Sequence, residues 1–183
     1  VGLGQPAPQE QVDGARDGLL DDVAHRGVLD ECPRVFDRDL VTHVEQLDDR
    51  GIERQVIGPR PFLMLGFVGP HILPAWTRLV NDAIHQQVQM FPDRFIGAAQ
   101  LPQNAHAQDT THCLEELNRC ADEYGFQGVY LSPDPEGQRN SPGMHDPYWH
   151  PVYEACQERG LPIIVHGTNC NDRRFESVPH SYQ

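Results

Sequence analysis

No apolar run in this chain approaches the roughly 20 residues that a membrane helix needs. Nor does a charged segment followed by an apolar one mark an export signal. Basic side chains are scarce: 14 Lys and Arg stand against 27 Asp and Glu, a formal net charge of −13. That balance argues against nucleic acid or an anionic membrane as a partner. The five cysteines (Cys32, Cys113, Cys120, Cys156, Cys170) are odd in number and form no CxxC pair. They fit reduced thiols in a cytoplasmic protein better than a disulfide framework or a zinc ribbon. GxGxxG, a Walker loop, GxSxG and HExxH are all missing, so those common cofactor and catalytic motifs have no support.

What is present is a repeating pattern. The 183 residues suffice for one domain, and 38% hydrophobic content provides a core although mean hydropathy is −0.55. Residues 1–38 are rich in Gly, Pro, Gln and Asp and read as an irregular arm. From Asp39 onward, Leu40, Val44 and Leu47 recur at helical spacing and Gly51 stops the helix. A strand over 54–58 ends in Gly58-Pro59-Arg60-Pro61, which continues neither a helix nor a strand. A helix over 74–91 carries Trp76, Val80, Ile84 and Val88 inward, and a strand follows over 95–100. Asp109 is the expected N-cap of the next helix, with Cys113, Leu117 and Cys120 on its packed face and Gly125 as stop. A strand at 128–131 precedes Ser132-Pro133-Asp134-Pro135. A helix over 151–159, stopped by Gly160, leads into the buried run Ile163-Ile164-Val165. Strands spaced by roughly 30–40 residues with helices between them imply a parallel α/β sheet, of barrel or open doubly wound type.

In such sheets the loops past the strand carboxyl ends gather on one rim. The residues expected there are Arg60, Gln100, Ser132 with Asp134, and His166 with Thr168. Arg60 suits a substrate carboxylate through bidentate hydrogen bonding, the alternative being a solvated loop residue. Ser132 and Asp134 read better as turn chemistry. His166, directly after a β-branched run, must satisfy its ring nitrogens with a metal or a hydrogen-bond partner. His43, His85 and His112 fall in helices, where a solvent-facing position is the default. Cys170, four residues past His166, makes only a weak zinc pattern.

The segments FPDRFIGAAQLPQ, EELNRCADEYGFQGVYL and DPYWHPVYEACQERGLPIIVHGT, with DDRGIERQVIGPRP and the Asn81-Asp82 pair, resemble the amidohydrolase-related family of metal-dependent hydrolases. That group includes decarboxylases and hydratases of aromatic and muconate-type acids. The resemblance implies a (β/α)₈ TIM-type barrel, here incomplete and covering roughly strands 2–5, over residues 39–183. It implies a divalent metal ion, zinc or manganese, with His166 ending the fifth strand as its ligand once the site is completed. It further implies a lyase or hydrolase acting on a small carboxylate-bearing substrate, decarboxylation first, hydration or hydrolysis next. The family's HxH pair does not occur before Asp39, and the sixth to eighth strands would lie past Gln183. Three readings stay open: a piece of a longer enzyme, a half barrel completed by another chain, or a non-catalytic structural subunit. A homo-oligomer or a complementing chain is the expected partner.

Overall fold

A computed structural model describes residues 32–59, 64–66, 68–104, 106–135 and 140–166. Packing divides the chain into two units, Val1–Gln46 and Leu47–Gln183. The first contributes most of helix α1 (Cys32–Asp49). This helix starts seven residues before the regular pattern at Asp39, with Pro33 in its first turn, where a missing N–H costs nothing.

The second unit carries five short strands: β1 (Gln55–Ile57), β2 (Phe95–Gly97), β3 (Ala99–Gln100), β4 (Val129–Leu131) and β5 (Ile163–Val165). Three helices connect them, α2 (Leu73–Met90), α3 (Thr111–Tyr124) and α4 (His150–Arg159). All pairings are parallel: β1 with β2, β3 with β4, β4 with β5. The strand expected over 95–100 is interrupted at Ala98, yet its hydrogen bonds continue on both sides. Ala98 N–H donates to Ile57 O at 2.9 Å, while Gln127 N–H donates to Gly97 O and Ala99 N–H to Gly128 O, both at 2.9 Å. The segment therefore lies between β1 and β4, and strand order follows chain order with no reversal among the described residues.

Each helix ends where the sequence expects. Gly125 and Gly160 take left-handed C-cap conformations, φ 65° and 67°, which a side chain would strain. Asp109 lies one residue before the backbone N-cap Thr110, but its carboxylate still accepts the Thr111 N–H at 2.9 Å. Sheet and helices bury two apolar clusters. Leu101, Leu117, Val129, Leu131, Trp149 and Val152 form one, and Val80, Ile84, Ala99, Cys120 and Phe126 the other. Gly97 is required beneath Phe126, whose ring occupies the space a Cβ would take. Each fully buried large side chain contributes about 1.5–3 kcal/mol, so these clusters hold the helices to one face of the sheet. The other face and the strand ends are left for chemistry.

Candidate active site at the strand carboxyl ends

The loops after β3 and β4 are locked together by side-chain amides. Gln103 Nε2 donates to Ser132 O at 3.1 Å, and Gln103 Oε1 accepts the Ser132 N–H at 2.7 Å. This pair continues the sheet's hydrogen bonding one step past the strand ends, using a side chain as surrogate backbone. Asn104 reaches the other way: its Nδ2 donates to Val68 O at 2.6 Å, and its Oδ1 accepts the His106 N–H at 2.8 Å. Ser132 and Asp134 are both buried, 2% and 8% exposed. Ser132 works through its backbone, in keeping with the turn chemistry of SPDP.

Gln100, expected at the rim, ends β3 with its Oε1 buried and without a hydrogen-bond partner. The residue as a whole is fully buried. Asn81 Oδ1 accepts its N–H and Asn81 Nδ2 donates to its carbonyl, each at 2.9 Å. The Gln100 amide nitrogen donates to Met64 O at 3.2 Å. Its purpose is to tie the loop after β1 to the sheet.

Asn81 is held in turn by a buried ionic network between α2 and α3. Its Nδ2 also donates to Glu116 Oε1 at 2.7 Å. Arg119 donates to Glu116 at 2.6 and 2.9 Å, to Asp82 at 2.8 Å and to the Tyr124 hydroxyl at 2.6 Å. Burial alone would lower the Arg119 pKa, but the Glu116 and Asp82 carboxylates outweigh it and hold the guanidinium above its ordinary value. His85 belongs to this network rather than to the solvent. Its ring stacks on Tyr124 with centroids 3.9 Å apart, and its Nδ1 is buried without a hydrogen bond. Burial lowers the His85 pKa, against a raising influence from Asp82.

His166 stands one residue past β5, half-buried, its N–H donating to Leu131 O at 2.8 Å. Its imidazole lies 6.0 Å from the Tyr130 ring at a tilt of 48°. Burial raises the Tyr130 pKa, so the phenol stays protonated at neutral pH. Arg60, Thr168 and Cys170 lie outside the described residues. Among the described residues no group of three His, Cys, Asp or Glu side chains could hold a metal ion. The donor set there amounts to one imidazole, which does not by itself fit a divalent ion.

Sequence reasoning passes over Tyr130, Gln103 and Asn104. Their only sequence signals are places in or just past a strand, in VYL and LPQN.

The parallel α/β sheet in chain order agrees with the comparisons. Residues 37–181 match the amidohydrolase family, and the chain belongs to that family. It is 35% identical over 128 residues to the 2-keto-4-carboxy-3-hexenedioate hydratase of Sphingobium sp. strain NBRC 103272 / SYK-6, covering 68% of this chain and 37% of that protein. It is 28% identical over 123 residues to the 2-amino-3-carboxymuconate-6-semialdehyde decarboxylase of Dictyostelium discoideum, covering 67% and 32%. The solved 4-oxalomesaconate hydratase of Rhodopseudomonas palustris superposes with a TM-score of 0.63 at 29% identity, covering 85% of this chain and 42% of that one. A dihydroxybenzoic acid decarboxylase from Polaromonas sp. JS666, solved with manganese and 2-nitroresorcinol, shares the fold with a TM-score of 0.57 at 23% identity, covering 75% and 42%. The chain thus spans about two fifths or less of the length of these proteins. Among the described residues, no helix is long and apolar enough to cross a membrane.

Proposed function

We propose that the chain forms roughly strands 2–5 of a (β/α)₈ barrel and serves a metal-dependent lyase acting on a small, planar carboxylic acid. The observation that carries this reading is the place of His166. It ends the last of four consecutive parallel strand positions whose order follows the chain. A doubly wound sheet would reverse that order at its ligand site, whereas a barrel wall does not. His166 is the one ligand for zinc or manganese that we assign, and further ligands come from outside the described residues. Arg60, on the loop expected after β1, is the proposed contact for the substrate carboxylate. We place the start of this domain near Asp39, with residues 1–38 preceding it in the sequence.

Decarboxylation of an aromatic or muconate-type acid is the leading reaction, and the relative named for decarboxylating a carboxymuconate semialdehyde supports it. Hydration of an unsaturated acid is the second reading, favoured by the higher identity to a hydratase. Among the described residues β1 and β5 each have one parallel neighbour. A complementing chain or a second copy at those edges is therefore proposed as partner, as unpaired parallel edges are unstable exposed. The odd cysteine count, with Cys113, Cys120 and Cys156 all free and buried, supports a cytoplasmic location. The test is turnover with manganese present. Decarboxylation of 2,6-dihydroxybenzoate to resorcinol and carbon dioxide, a proton replacing the carboxylate on the ring, or hydration of an unsaturated keto acid, should occur with wild type and vanish in His166→Asn. No turnover of either class by the wild type, alone and together with any chain that co-purifies with it, would overturn the reading.

A further inference from the structure

On the sheet face opposite the helices, Tyr130 stands in register between Gln100 and Ile164. Tyr130 sits in the middle of β4, between Val129 and Leu131, which are 1% exposed and packed in the helix-side cluster. Side chains alternate along a strand, so the Tyr130 ring points to the other face. Tyr130 pairs in register with Ile164, which places His166, two residues further, on the same face and one layer above. The two rings are in the contact already described, 6.0 Å apart.

Across the sheet the ring reaches the end of β1. A Cβ on Gly58 would overlap the Tyr130 ring at Cε2 and Cδ2. Gly58 does not have a positive φ, so its backbone would accept any residue. What the glycine provides is room for the ring. Gly128, one layer below Tyr130, similarly faces the Ala98 and Ile164 side chains. Gly58 and Gly128 thus leave room around the Tyr130 ring, which stands in register between Gln100 and Ile164. Tyr130 is only partly buried, and its hydroxyl has no hydrogen-bond partner among the described residues, which leaves it open to a ligand.

We propose that Tyr130 is the floor of the substrate site, its ring carrying the planar part of a small carboxylic acid beneath His166 and its phenol donating a hydrogen bond to an oxygen of that acid. This deepens the lyase reading and rests on it. A flat aromatic surface favours conjugated acids over saturated ones, because ring-on-ring contact adds to area burial. The phenol hydroxyl is a donor that suits an anionic or carbonyl oxygen.

The test is calorimetric titration of the full chain with 2,6-dihydroxybenzoate, manganese present, for wild type, Tyr130→Phe and Gly58→Ala. Tyr130→Phe removes one hydroxyl and keeps the ring, and thermal melting checks that both variants fold. Binding weaker by about fivefold in Tyr130→Phe is the worth of one neutral hydrogen bond. Gly58→Ala alters no functional group, yet must push the ring aside and weaken binding at least as much. Wild-type binding with both variants unchanged would overturn the role of Tyr130 and leave the lyase reading standing. A wild type that does not bind the acid would overturn that reading and the floor with it.

Discussion

Removing the Arg119 guanidinium should be the most damaging single change on the helix side of the sheet. Arg119 is 9% exposed, and its side-chain partners Glu116 and Asp82 are buried to a similar degree, 4% and 9%. In Arg119→Met both carboxylates lose their counter-charge while staying between α2 and α3. Breaking a buried pair in this way costs about 3–5 kcal/mol, because the orphaned charge has already lost its water. With a urea slope of about 2 kcal/mol per molar, the unfolding midpoint should fall by roughly 2 M. The deficit should shrink at acid pH, where the orphaned carboxylates take up protons and shed their charge. In Asp82→Asn, Glu116→Gln and Arg119→Met combined, no buried charge is left, and the amide carbonyl introduced at position 116 can still accept from Asn81 Nδ2. That triple variant should come within about 1–2 kcal/mol of wild type. Urea unfolding followed by circular dichroism at pH 7 and pH 5 reads all of these. An Arg119→Met loss below about 1 kcal/mol, or a triple variant as damaged as the single one, would refute the argument.

Two further outcomes follow from the same helix layer. The lowered pKa of His85 means the unfolded chain binds its proton more readily than the folded one. Its contribution is therefore complete above the ordinary histidine value of about 6.5 and is lost as pH falls below it. His85→Phe, which preserves the stack on Tyr124, should flatten the fall in stability between pH 7 and pH 5, and an unchanged slope would count against this. Burial first, then the Asp109 charge, pushes the Cys113 thiol up to about 12, and burial leads the rise at Cys120 and Cys156. With these three of the five thiols buried and protonated, Ellman's reagent at pH 8 should modify at most two per native chain and five in urea. Fast reaction of three or more in the native state would contradict the packing.

Much of this architecture is legible in the amino-acid sequence, for physical reasons. The runs at Val56-Ile57 and Ile163–Val165 are β-branched and bounded by Gly or Pro, so strand and stop are specified within a few residues. Gly125 and Gly160 mark helix ends because left-handed backbone selects glycine locally. The hydrogen-bond partners are not legible in the same way. Periodicity says that position 81 faces inward, but not that Asn81 meets the backbone of Gln100, nor that Glu116, 35 residues further, orients it. His85 looks solvent-facing by spacing alone, and its stack on Tyr124 depends on how α2 lies against α3. Gln100 shows the same limit: its place at a strand end is legible, but not that its amide nitrogen holds the Met64 carbonyl of a neighbouring loop. The run Ile163–Val165, expected to be buried on both faces, is half-buried with Val165 55% exposed, so the sequence marks the strand before His166 but not its surroundings.

The central claim is that His166 is a metal ligand at the carboxyl end of a barrel strand. It is tested most directly by manganese bound per chain, measured by electron paramagnetic resonance on the purified protein and its His166→Asn variant. The account predicts manganese on the wild type and affinity weaker by at least about tenfold in the variant, since even residues that only support a ligand are worth that much. Equal manganese binding by wild type and His166→Asn, with both proteins folded, would contradict it.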